Sequence, residues 1–125
     1  MFTVERPVPA CAFPGGACSW SHHGFKHFGH EGMTRGQTRH PLPAKYLLHV
    51  HVQAVETATV AGVERKAIGA LAAKTEYLRA TGVVIGWDDG QDATLSYVEC
   101  SGGAAVRTFH GRPMHPGNRT VRKFP

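Results

Sequence analysis

The sequence predicts an α+β fold: a small β-α-β-β-β domain, an antiparallel meander packed on one helix, with extended arms at both ends. Three observations carry this. Short strand-like runs split by two turn signals fill residues 82–109. Apolar residues at helical spacing precede them over 60–79. An alternating run over 45–55 comes before both. The chain has 125 residues, 42% of them hydrophobic and 18% charged, which suits one domain with one modest core.

Residues 1–43 read as an irregular leader. Pro7, Pro9, Pro14, Pro41 and Pro43 interrupt helices and interior strands, and no apolar period emerges. Met33 offers an internal start, so 1–32 reads as an extension whose removal leaves a folded core. The core domain spans 44–110. Its first strand, 45–55, alternates Leu48, Val50, Val52 and Ala54 with His49, His51 and Gln53. Its helix, 60–79, aligns Val60, Val63, Ala67, Leu71 and Leu78 on one stripe, with Gly82 past its end as a left-handed cap.

The first hairpin of the meander turns at Asp88-Asp89-Gly90. A two-residue loop, Asp89-Gly90, pairs Trp87 with Asp92 and sends the two apolar sets to opposite faces. A three-residue loop pairs Ile85 with Ala93 and Val83 with Leu95. One face then carries Val83, Ile85, Trp87, Ala93, Leu95 and Tyr97, and this pattern favours the longer loop. A similar loop at Ser101-Gly102-Gly103 pairs Cys100 with Ala104 and sets Phe109 beside Leu95. Residues 111–125, with three prolines and two glycines, read as an extended basic tail.

The charge lies at the ends. The whole chain is +5, with +2 over 1–43, −1 over 44–110 and +4 over 111–125. No apolar run is long enough to span a bilayer, and no apolar leader marks a signal peptide, so a cytoplasmic protein without membrane contact is expected. Three cysteines, Cys11, Cys18 and Cys100, do not form a disulfide framework. Cys100 reads as a small buried hydrophobe rather than a nucleophile served by His110.

Two sets of residues have metal-ligand chemistry. Cys11, Cys18, His23 and His27, beside His22 and His30, offer thiolates and imidazoles for zinc, at spacings that match no standard finger. His49 and His51 lie two apart on the expected strand. With Glu56 and Gly62 they resemble the first metal motif of the cupin family, His-x-His, then Glu, then Gly. The match departs from the family: the Glu56–Gly62 spacing is one residue short, Pro43 replaces an upstream glycine, and the second motif is missing. That resemblance implies a metal-dependent enzyme or metal-binding protein around His49 and His51.

The favoured reading is a small non-enzymatic binding or assembly module. Its basic arms, Arg35, Arg39, Arg112, Arg119, Arg122 and Lys123, neutralise nucleic-acid phosphates or engage a protein assembly, a homo-oligomer among them. This is a plan shared by ribosome-associated, phage-structural and phage-inhibitor proteins.

Overall fold

The computed structural model describes residues 11–13, 16–22, 26–29, 44–62, 65–68, 75–102 and 107–124. They form β1 (Cys11–Phe13), β2 (Gly16–Trp20), β3 (Lys45–Tyr46), α1 (Val52–Gly62), β4 (Arg65–Ile68), β5 (Thr75–Ala80), β6 (Gly86–Asp88), β7 (Gln91–Ala93), β8 (Leu95–Gly102) and β9 (Arg107–Met114). A 3-10 helix, Arg119–Lys123, comes last. The fold is α+β. One sheet has the order β1-β2-β9-β8-β5-β4, and a smaller one the order β3-β6-β7. Among the described strands of the large sheet, only the β2–β9 pair is parallel.

The helix lies N-terminal to its expected place. Val52, Gln53, Glu56, Thr59 and Val60 are its buried residues, spaced as one helical stripe. Three of the five are polar, so a purely apolar period does not reveal them. The expected strand 45–55 is therefore only Lys45–Tyr46, and within the expected helix 60–79 the residues 65–68 and 75–79 lie in the antiparallel strands β4 and β5. Arg65 pairs with Leu78 and Ile68 with Thr75. Val60 and Leu78, read as one stripe, belong to separate cores.

Those two cores occupy the two faces of the large sheet. Helix α1 covers one, where Tyr77, Val98, Cys100 and Phe109 join Val52 and Val60. The Thr59 hydroxyl shares a 2.6 Å hydrogen bond with Ser96 and fixes the helix over β8. Trp20 (8% exposed) and Phe28 (6%) belong to the same core, so residues before Met33 contribute to it. The opposite face carries Leu78, Tyr97 and Met114, covered by Val121 and Phe124. Being covered on both sides, β5 has four consecutive buried residues, Thr75 to Leu78.

The chain changes sheets after Ala93, and this decides the hairpin register. β6 and β7 pair in the small sheet, whereas β8 belongs to the large one. Val83, Ile85, Leu95 and Tyr97 would share one face only in a single meander, and two sheets remove that condition. The observed pairs are Gly86–Ala93, Trp87–Asp92 and Asp88–Gln91, which is the two-residue loop. Asp89 (φ 53°) and Gly90 (φ 81°) are both left-handed, as a type I′ turn requires. Val83 is 61% exposed. The next hairpin also differs: Cys100 pairs with Phe109 and Leu95 with Met114.

The C-terminal segment is not an extended arm. β9 runs on to Met114. Asp88 then fastens the chain beyond β9 by accepting from the His115 backbone N–H (3.1 Å) and from Asn118 Nδ2 (2.7 Å). Asn118 caps the 3-10 helix by accepting from the Thr120 N–H at 2.9 Å. Phe124 is 7% exposed. The prolines here shape a packed return.

Gly90→Val forces a β-branched residue into a left-handed turn and should lower stability by roughly 1–2 kcal/mol. An unchanged urea midpoint would contradict the two-residue turn. Phe124→Ala should cost about 3–5 kcal/mol, as truncation of a buried aromatic does. A free tail predicts no change in the same unfolding experiment.

Candidate functional site

A buried carboxylate joins the helix to both sheets. Glu56, 2% exposed, accepts from Trp20 Nε1 of β2 at 2.8 Å and from the Tyr46 hydroxyl of β3 at 2.7 Å. The Gly111 backbone N–H of β9 also donates to it. No side chain fits at 111: a Cβ there would lie 2.2 Å from the Tyr97 carbonyl oxygen and 3.0 Å from Glu56 Oε2. Burial pushes the Glu56 carboxyl up from 4.5 to about 7, against the opposing pull of Tyr46, Trp20, His110 and Gly111. Burial likewise holds the Tyr46 phenol well above its usual value, with Glu56 adding to it.

On the other face, the β5–β8–β9 register lines up a polar row. Glu76 opposes Glu99, Glu99 opposes His110, and Tyr97 opposes Arg112. Two carboxylates directly across a ladder repel. The Tyr97 hydroxyl lies 2.5 Å from Glu76 Oε1 and 3.0 Å from Glu99 Oε2. Lys123 Nζ reaches Glu76 Oε1 at 2.8 Å, and His110 Nε2 lies 3.2 Å from Glu99 Oε1. Burial, then the two carboxylates, hold the Tyr97 phenol far above its usual range. The Arg112 guanidinium sits 5.1 Å from the Tyr97 ring centroid.

A turn tied to β3 brings two more bases to this row. Lys45 Nζ donates to the Lys26 carbonyl, the Tyr46 N–H to the His27 carbonyl (2.7 Å) and His27 Nδ1 to the Ala44 carbonyl (3.0 Å). Lys26, His27, His110 and Arg112 then surround a pocket of about 110 Å³, closed by Tyr97, Glu99 and Gly111. Four basic side chains face one acidic one. A wider groove of about 460 Å³ runs between the Asp88–Asp89 turn and Asn118–Thr120. Much of its polar lining is engaged: Asp88 holds His115 and Asn118, and His115 Nδ1 donates to the Asp92 carbonyl.

The structure separates the sequence-predicted residues. Arg112 enters the pocket, Lys123 pairs with Glu76, and Arg119 and Arg122 are exposed on the 3-10 helix. Arg35, Arg39 and His23 lie outside the described residues. Cys11 and Cys18 are direct partners in the β1–β2 ladder, while His27 lies with His110 in the pocket. His49 and His51 are exposed ahead of α1, and Glu56 is inside the core. The expected strand that would carry His49 and His51 on one face is therefore overturned, and Glu56 follows them inside a helix. Among the described residues, no group of three or more His, Cys, Asp and Glu side chains could hold a metal ion. Cys100 is buried and forms no disulfide. It pairs with Phe109, so His110 faces the other side of the sheet. Sequence reasoning missed Lys26, Tyr97 and Glu99 as site residues, and named Glu56 only as part of a metal motif; the partners of each lie far away in the chain.

No helix among the described residues is long and apolar enough to cross a membrane. Comparison with protein-family models, with curated proteins and with solved structures finds no match to this chain.

The native state holds the Glu56 proton more tightly than the unfolded chain does. Its contribution to stability is full below pH 4.5 and is lost as pH rises through about 7. At about 1.4 kcal/mol per pH unit, the loss amounts to roughly 3 kcal/mol. Glu56→Gln should be less stable at low pH, because its amide mismatches one donor. It should also lack most of that slope when unfolding free energies at pH 5 and pH 8 are compared. An equal slope in both proteins would assign the titration elsewhere.

Proposed function

We propose that this chain is a small non-enzymatic binding module that engages nucleic-acid phosphates through a folded basic face rather than through free arms. The observation that carries the reading is the convergence of Lys26, His27, His110 and Arg112 on one pocket. The face extends past Tyr97 and Glu76 to Lys123 and the exposed Arg122. Arg112 is held over an aromatic ring, and a preorganised guanidinium loses less freedom on meeting a phosphate than one on a flexible tail. Glu56 supports this reading as a structural carboxylate: it is buried and takes its hydrogen bonds from three strands.

Lys123 is already matched by Glu76, and Arg119 borders Asp88 and Asp89. Lys26, Arg112 and Arg122 therefore carry the phosphate contacts. Each contributes about −0.9 to the slope of log affinity against log salt on duplex DNA. Lys26→Ala, Arg112→Ala and Arg122→Ala together should reduce the magnitude of that slope by roughly 3 while the unfolding midpoint stays near wild type. A slope that survives the triple substitution contradicts the assignment. Salt-insensitive retention of a protein partner would favour an assembly role instead.

A further inference from the structure

We propose that the pocket between Lys26, His27, His110 and Arg112 is a site for one phosphate monoester, a free phosphate or the terminal phosphate of a strand. The inference rests on the basic face described above and narrows what that face recognises. Size comes first. About 110 Å³ is the share of three to four water molecules at ~30 Å³ each. That suits a tetrahedral oxyanion of five heavy atoms and falls below the ~300–1,000 Å³ that drug-sized ligands fill.

Charge comes second. Lys26 and His27 come from one turn, and His110 and Arg112 from β9, so the bases flank the pocket from two separate segments. A terminal monoester carries more charge than an internal diester and exposes three oxygens. Arg112 supplies a fork that matches two of them. Gly111 lies between the two bases of β9, and its missing side chain would have pointed to the Glu56 face, so His110 and Arg112 project together on the pocket side. The turn bearing Lys26 and His27 is fixed by three hydrogen bonds to 44–46, so the site is held in shape before a ligand enters.

Glu99 sets the selectivity. Among the described residues it is the one acid lining the pocket, and it lies 3.2 Å from His110 Nε2. An entering phosphate competes with it for His110 and is repelled by it. A cation would meet the fixed positive charges of Lys26 and Arg112, and among the described residues no group of three or more His, Cys, Asp and Glu side chains could hold a metal ion.

The test is an amide NMR titration of the full chain with inorganic phosphate, then with 5′-phosphorylated and 5′-hydroxyl forms of one short oligonucleotide. Phosphate should shift Lys26, His27, His110, Gly111 and Arg112 amides in a saturable way. The 5′-phosphorylated strand should bind at least tenfold more tightly than its 5′-hydroxyl form. Arg112→Lys keeps the charge but loses the fork, and should weaken phosphate binding about tenfold. Glu99→Gln should tighten it severalfold, an effect no loss of folding produces. Shifts scattered over surface lysines and arginines, or affinity unaffected by either variant, would overturn the proposal. Equal affinity for the two oligonucleotides, insensitive to Arg112→Lys, would overturn it while leaving the broader nucleic-acid reading intact. Saturable phosphate binding with no oligonucleotide affinity would support the pocket and end the nucleic-acid reading.

Discussion

The Glu56 carboxylate is the constraint on which the rest of the structure depends. It stands on the helix, and its hydrogen-bond donors come from β2, β3 and β9. A buried carboxylate without donors is prohibitively placed, so the three strands and the helix must dock together or not at all. The requirement reaches down to one backbone atom. Gly111 approaches so closely that a methyl group in place of its hydrogen would strike the Tyr97 carbonyl. Geometry that satisfies Glu56 on one face of the sheet thereby sets the spacing of β8 and β9, and with it the pocket on the other.

The second face obeys the same logic with weaker partners. Glu76 and Glu99 oppose each other across β5 and β8. Tyr97, Lys123 and His110 offset the repulsion. Lys123 is half-exposed, so its bond to the buried Glu76 is screened at one end and held at the other. The C-terminal segment thus fills an apolar gap through Val121 and Phe124 and neutralises a carboxylate. Basic residues that the sequence alone would give to solvent are partly committed to the fold. Of the others, Lys26 and Arg112 line the pocket and Arg122 is exposed on the 3-10 helix.

Part of the local structure is legible in the sequence. The Asp-Gly pair announces a turn at 88–90, though not its length, and a buried Cys100 is expected from its residue type and setting. The helix is hidden because residues 50–60 satisfy two periods at once. Val50, Val52 and Ala54 alternate like a strand, while the true buried stripe includes Gln53, Glu56 and Thr59. Polar residues are invisible to an apolar period, and only hydrogen-bond partners distant in the chain make their burial tolerable. The hairpin register escapes for a different reason. Counting faces assumes one sheet, and the chain crosses between two after Ala93. The pocket is illegible because Lys26 and Arg112 are brought together by β3 and β9, not by spacing. Its signal, Tyr-x-Glu on β8 facing His-x-Arg on β9, becomes readable only once the 95–114 register is known.

The most direct test is the ionisation of Glu56 itself. With glutamate carboxyl carbons labelled by ¹³C, the Glu56 resonance, identified by its absence in Glu56→Gln, can be tracked from pH 3 to pH 9. A midpoint near 7 is expected, displaced by burial from the ordinary 4.5. A midpoint near 4.5 that Trp20→Phe and Tyr46→Phe leave unmoved would mean that the carboxylate is solvated, since loss of a donor to a buried carboxylate raises its midpoint further. The helix would then not be tied to β2, β3 and β9 in the way the structure requires.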